Sequence, residues 1–284
     1  MNKKLLALYG LKWNPFSPEL PTEALHVTSP VEHFCWHIEQ NLIQEGGFAL
    51  ISGDPGTCLP ARQAGKRVVL RLLADHLAQL RELTVGAIAH PSSNLADFYR
   101  EMGDLFGVEL KPHNRWGGFK ALRERWLAHL DGTLMRPVLL IDEAQEMHPS
   151  VLSELRLLSS MQFDSRTLLS VIFAGDARLT AKLRRDELLP LGSRIRTRLV
   201  MEYADRRELM ACLKHLLATA GNAHLMTQEL MQTLCEHAVG NYRVLTSMAA
   251  ELLAAATRQE ITQLDEKRYL ETFGPPAKKT RKTA

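Results

Sequence analysis

Residues 51 to 73, "ISGDPGTCLPARQAGKRVVLRLL", decide how the chain is read. Gly53, Asp54, Pro55, Gly56 and Thr57 form the front half of a phosphate-binding loop, G-x-x-x-x-G-K-[ST] (Walker A), and the apolar run "FALISG" enters it as a buried parallel strand would. The second half is out of frame. Counting on, Cys58 stands where the second glycine belongs and Leu59 where the lysine belongs; counting back from Gly65 and Lys66, the first glycine falls on Pro60. Without residues 58–64 the text reads G-D-P-G-T-G-K-R, followed by "KRVVLRLLADHLAQL" with apolar residues at helical spacing. Such a loop works because consecutive backbone N–H groups wrap phosphate and a helix N-terminus adds its dipole. The lysine reaches the β/γ-phosphates, and the Ser/Thr hydroxyl binds Mg²⁺. Here "CLPARQA" separates Thr57 from Gly65, Pro60 has no N–H to give, and Arg67 at the Ser/Thr position offers a hard cation no oxygen. The plainer alternative is an ordinary strand-turn-helix that happens to contain glycines.

Working outward, "RPVLLIDEAQ" is a strand running into Asp142 and Glu143. In that position Asp142 would hold Mg²⁺ and Glu143 would polarise an attacking water, both projecting from the carboxyl end of the strand, where open α/β sheets bind ligands. A strand capped by a solvated acidic turn is the alternative. "SVIFAGDARL" ends another strand on Asp176, within reach of a γ-phosphate or its attacking water in the same crevice. In "LGSRIRTRL", Arg194, Arg196 and Arg198 alternate; they form either a solvated edge strand or a face that offers Arg194 to a neighbouring subunit's phosphate. "GNYR" puts Arg243 at a helix start, able to fold back over a nucleotide or to serve as an ordinary surface arginine.

Strands alternate with helices over residues 31–203, which predicts a parallel sheet covered on both faces. After that the strands stop. "DRRELMACLKHLLATAG" opens on a capping-box pair, Asp205 and Glu208, and ends at Gly221, and further amphipathic helices continue to residue 273. Residues 1–30 read as an extended arm, Asn94 as a helix cap, and the basic tail 274–284 as disordered.

The bulk composition is ordinary for a globular chain: 284 residues, 45% hydrophobic, 24% charged, formal net charge +3. That charge is too small to imply nucleic acid alone, although basic residues cluster near 184–198 and at the C-terminus. Cys35, Cys58, Cys212 and Cys235 form no C-x-x-C pair and read as reduced thiols of a cytoplasmic protein. No stretch approaches 18 apolar residues, so no membrane span is expected. His33, Cys35 and His37 read as packing, not as a metal site, because the cysteine points off the histidine face. "RWGGFKALRERW" reads as a helix whose tryptophans anchor in the core.

The order of these elements resembles that of the AAA+ ATPases of the P-loop NTPase class: an interrupted Walker A, a Walker B with D-E-A-Q, a polar residue after the next strand, S-R-I, and G-N-Y-R in a helical lid. Within them the chain is similar to the bacterial group of transposition-helper and ExeA-like ATPases, on "YGLKWNPFSPELP", "LLIDEAQEM" and "GNYR". The resemblance implies a three-layer α/β/α core at 31–203 and a small all-α lid at 204–273. It implies ATP held by residues 53–57, Gly65, Lys66, Arg67 and Arg243 and Mg²⁺ held by Asp142, with Asp142, Glu143, Asp176 and a trans-acting Arg194 in catalysis. It also implies a homo-oligomer on duplex DNA that recruits a transposase. A non-hydrolysing adaptor of the same fold and a secretion-assembly ATPase are the alternatives.

Overall fold

The computed structural model describes residues 2–17, 19–53, 66–91, 94–110, 114–162 and 165–274. In chain order the helices and strands are α1 (Asn2–Tyr9), α2 (Ser29–His37), α3 (Ile43–Glu45), β1 (Gly47–Gly53), α4 (Lys66–Ala78), β2 (Val85–Ile88), α5 (Leu95–Phe106), α6 (Arg115–Thr133) and β3 (Val138–Ile141). They continue with α7 (Pro149–Ser159), a short hairpin β4–β5 (Ser160–Met161, Arg166–Thr167), β6 (Ser170–Gly175), α8 (Ala177–Leu183), α9 (Leu189–Gly192) and β7 (Ile195–Met201). The helices α10 (Arg206–Ala220), α11 (Gln228–Ala238), α12 (Tyr242–Arg258) and α13 (Glu266–Phe273) close the list. Two compact units result, one running from Val27 to Glu202 and the other joining the N-terminal residues up to His26 to those from Tyr203 on.

The Val27–Glu202 unit is built on a five-stranded sheet in the order β2-β3-β6-β1-β7, with all neighbours parallel. Side chains alternate across a strand, and here each face has its own cover. Phe48, Leu50, Leu139, Ile141, Val171 and Phe173 join one core with α5, α6, α7, α8 and α9, where Phe98, Leu122, Trp126 and Leu155 are buried. The alternate residues Ala49, Ile51, Leu140, Ile172 and Ala174 are also buried; on their side α4 packs against β1, β2 and β6, and α2 against α4. This is the three-layer α/β/α arrangement, a parallel sheet covered on both faces, that the alternation of elements predicts.

One buried acid sits inside this core. Glu154 on α7 is only 1% exposed and accepts from the Tyr99 hydroxyl at 2.5 Å and from Arg115 Nε at 2.9 Å, with Arg115 Nη2 on its other oxygen. Burial pushes the carboxyl up, but the donors of Arg115 and Tyr99 outweigh it and hold Glu154 below its ordinary value.

In the other unit α10 begins with the expected capping box, Asp205 Oδ1 accepting from the Glu208 N–H and Glu208 Oε2 from the Asp205 N–H. It ends at Gly221, whose φ of +103° favours a residue without a Cβ. The expectation of an extended N-terminal arm is corrected for part of its length. Asn2–Tyr9 is helical and packs against α12, burying Leu5 and Tyr9 together with Leu11; Asn222 Nδ2 donates to the Tyr9 carbonyl at 3.0 Å. The reason is visible in "KKLLALYGL": its apolar residues recur at helical spacing, and burying that stripe outweighs the turn-forming prolines that follow. The tryptophan reading is corrected as well. Trp126 is buried, but Trp116 is 74% exposed and stacks on Phe119. The expected tail lies at residues 274–284, of which 275–284 are outside the described residues.

Because the folded carboxyl of Glu154 is depressed, its contribution to stability is present above the ordinary carboxylate value and is lost as pH falls from there through its lower folded value. We therefore expect Glu154→Ala to cost about 2–4 kcal/mol in urea unfolding at neutral pH, and Tyr99→Phe about 1 kcal/mol. The deficit of Glu154→Ala should shrink in acid. An unchanged urea midpoint for Glu154→Ala would contradict the assignment.

Candidate nucleotide site

The parallel register brings the carboxyl ends of three strands to one edge: Ile141 of β3 lies opposite Phe173 of β6, and Gly175 of β6 lies opposite Ser52 of β1. Gly53 closes β1, Asp142 and Glu143 follow β3, and Asp176 follows β6. Lys66 and Arg67 open α4. The predicted loop residues Asp54, Pro55, Gly56, Thr57 and Gly65, with the insert 58–64, lie outside the described residues.

The residue standing at the Ser/Thr position ties this edge together. Arg67 Nε donates to Asp142 Oδ2 at 2.6 Å, and its Nη2 to Glu143 Oε1 at 3.2 Å. The hydrogen bond to Asp142, followed by the charges of both carboxylates, raises the guanidinium's pKa further against the effect of burial. The remaining carboxylate oxygens also hold donors. Asp142 Oδ1 accepts from the Glu143 N–H at 2.9 Å, and Glu143 Oε2 accepts from Gln145 Nε2 at 2.5 Å. Glu143 adopts φ +51°, a left-handed conformation that a non-glycine residue holds only under local constraint, as is common at sites of function.

Gln145 continues the network, its Oε1 accepting from the Asp176 N–H at 3.2 Å. Asp176 caps α8, taking the Arg178 N–H at 2.8 Å and Arg178 Nε at 2.9 Å. Burial raises the Asp176 carboxyl, but the Arg178 hydrogen bonds and, further off, the charge of Lys66 bring it below its ordinary value. Arg178 also pairs with Glu146 at 2.8 Å, and Lys182 Nζ donates to the carbonyls of Gln145 and Met147. Sequence reasoning passed over Gln145, Arg178 and Lys182. Gln145 was legible as the last letter of D-E-A-Q, while the other two become significant only once α8 folds beside the Walker B turn.

The chemistry of this edge fits phosphate: a lysine and an arginine at a helix N-terminus, beside a strand-end glycine. It does not fit the magnesium expected on Asp142, because Arg67 holds a fixed positive charge against both Asp142 and Glu143, where the ion would have to bind.

Arg194 is elsewhere. It precedes β7, whose first residue lies opposite Phe48 while its last lies opposite Gly53. The strand rise thus sets Arg194 roughly 15–20 Å from the carboxyl edge. It lines a cavity of about 370 Å³ with Asn41, Glu45, Ser160 and Arg196. Arg243 belongs to the helical unit, exposed at the start of α12, where Asn241 caps its N–H. His33, Trp36 and His37 form a ring cluster, Cys35 is a buried free thiol, and among the described residues no group of His, Cys, Asp or Glu is arranged to hold a metal. None of the helices among the described residues is long and apolar enough to cross a membrane.

A parallel sheet with a strand-glycine, helix-start lysine and post-strand acidic pair at one edge defines a nucleotide-binding P-loop NTPase core. The family model described as "AAA domain" matches residues 42–183, and the chain belongs to that family. By family it is an ATPase. The chain is 30% identical over 252 residues to General secretion pathway protein A of Aeromonas hydrophila, covering 87% of this chain but only 44% of that protein. Solved structures share the fold. ORC2 of Aeropyrum pernix aligns with a TM-score of 0.68 at 14% identity, over 91% of this chain and 70% of that one. Domain III of the replication initiation protein DnaA from Thermotoga maritima aligns with a TM-score of 0.59 at 17% identity, over 92% and 98%. The Drosophila ORC bound to DNA aligns with a TM-score of 0.67 at 15% identity, over 95% and 65%.

Gly175 must stay small for this edge to form. A Cβ there would meet Gln145 Oε1 at 2.7 Å and Leu179 Cδ2 at 2.6 Å. We expect Gly175→Ala to cost about 1–3 kcal/mol through overpacking and to push Gln145 off Asp176. A chemical denaturation midpoint equal to the parent's would disprove this.

Proposed function

We propose that the protein is an AAA+ helper of DNA transposition, a nucleotide-controlled homo-oligomer that binds duplex DNA and presents it to a transposase. In this reading residues 31–203 are the nucleotide core, 204–273 are a helical lid, and Arg243 at the start of α12 is the lid's nucleotide-binding residue. The observation that carries the nucleotide part is the convergence of Gly53, Lys66, Asp142, Glu143 and Asp176 on one sheet edge. The distance of Arg194 from that edge supports assembly, since an arginine at the other end of β7 serves a phosphate only from a neighbouring subunit. Arg196 and Arg198, exposed on an edge strand, together with the basic tail, support contact with DNA phosphates. The Drosophila ORC solved with DNA, which shares the fold, and the sequence resemblance to transposition helpers support the choice of partner.

The triphosphate would lie against Lys66 and the α4 N-terminus, with Glu143 the carboxylate that takes a proton from water. Two donors already hold Glu143, so turnover is expected at or near background. Deleting residues 58–64 together with Arg67→Thr should recover hydrolysis in a phosphate-release assay, and adding Glu143→Gln should abolish it again. Substantial turnover by the unmodified chain, dependent on Lys66, would overturn the impaired-site reading.

Assembly and DNA binding give separate tests. In sedimentation velocity with ATP and duplex DNA, the chain should form large species, and Arg194→Ala should lose them while retaining nucleotide binding. DNA affinity should be insensitive to sequence, fall steeply with salt, and weaken on deletion of residues 275–284. A flat salt response would exclude phosphate-led binding. The likeness to General secretion pathway protein A favours a second reading, a secretion-assembly ATPase; capture of inner-membrane partners without DNA binding would select it.

A further inference from the structure

We propose that Arg67 replaces the divalent cation of this site, so that the carboxylates exclude metal and any nucleotide bound there is bound metal-free. The inference rests on reading the strand edge as a nucleotide site, but its core concerns Arg67 and two carboxylates only. A hard cation such as Mg²⁺ requires near-octahedral oxygen ligands with open lone pairs. Arg67 bridges both acids, at 2.6 Å to Asp142 and 3.2 Å to Glu143. The other oxygen of each acid already accepts one hydrogen bond, from the Glu143 N–H and from Gln145 Nε2. A metal would have to break these bonds and then sit beside a fixed positive charge, and like charges at about 4 Å repel even in a partly solvated setting.

The same arginine suits the task a cation performs toward phosphate. A guanidinium carries five N–H donors in a rigid fork that matches phosphate oxygens, and it stays charged at every accessible pH. Two of its nitrogens hold the carboxylates, and the side chain is half exposed, next to Lys66 at the start of α4. It reaches 75 residues along the chain to pair with Asp142, which is 8% exposed. It brings one positive charge where a divalent ion brings two, so it holds phosphate without matching the ion's charge.

The test uses the full chain and its Arg67→Ser and Arg67→Thr variants, each checked for folding by thermal melts. Affinity for a fluorescent ATP analogue is measured in excess Mg²⁺ and in excess EDTA. The parent should differ less than about two-fold between the two, while either variant should bind more than about ten-fold more weakly in EDTA. A parent affinity that rises ten-fold with Mg²⁺, or variants as indifferent to metal as the parent, overturns the proposal. Water-proton relaxation with Mn²⁺ on the nucleotide-free chains reads the metal alone. A bound-metal enhancement should be absent from the parent, present in Arg67→Ser, and lost when Asp142→Asn is added. Equal enhancement in parent and variant overturns the proposal. If none of the chains binds the ATP analogue, the nucleotide reading fails, and the Mn²⁺ comparison still decides whether Arg67 displaces the metal.

Discussion

Burial of the parallel sheet on both faces is the constraint from which the rest follows. All of β3 and β6, and most of β1, are withdrawn from water, so these strands carry almost no polar side chain along their length. Polar chemistry is confined to their ends, where the chain leaves the sheet. Parallel pairing then ensures that all the carboxyl ends emerge together. Asp142, Glu143 and Asp176 are neighbours for that reason, although the first and last stand 34 positions apart.

At that edge the protein has largely satisfied its own charges. Arg67 answers Asp142 and Glu143, Arg178 answers Asp176 and Glu146, and Gln145 joins the two groups by donating to one and accepting at the other. Such a network is costly to break piecemeal, because each removed partner leaves a desolvated group behind. It also differs in kind from an edge poised for a metal, whose carboxylates must present free lone pairs. Phosphate recognition by cations survives this arrangement, whereas metal-assisted chemistry is opposed by it.

The unit that joins the N-terminal residues to those from Tyr203 follows a different logic. Its helices are fixed by local devices, the Asp205–Glu208 box, Asn241 at the start of α12 and the left-handed Gly221. Its core is completed by α1 from the other end of the chain. A helix of eight residues has little stability of its own. Its order comes from packing against α12 with Leu5 and Tyr9 buried, a contact that more than 230 residues of intervening chain hide from any local reading.

Residue patterns alone determined the alternation of strands and helices, the capping of α5 and α10, the acidic pair after β3, and the interruption of the loop between Thr57 and Gly65. These are short-range properties, written in the spacing of apolar residues and in the few side chains that can start or stop an element. The partner of each functional group was decided only by tertiary structure. That Arg67 lies on Asp142 and Glu143, that Gln145 reaches Asp176, that Trp116 faces water while Trp126 does not, and that Arg194 stands at the far end of its strand all depend on strand order and register. Those are set by burial summed over the whole sheet, which no single segment encodes.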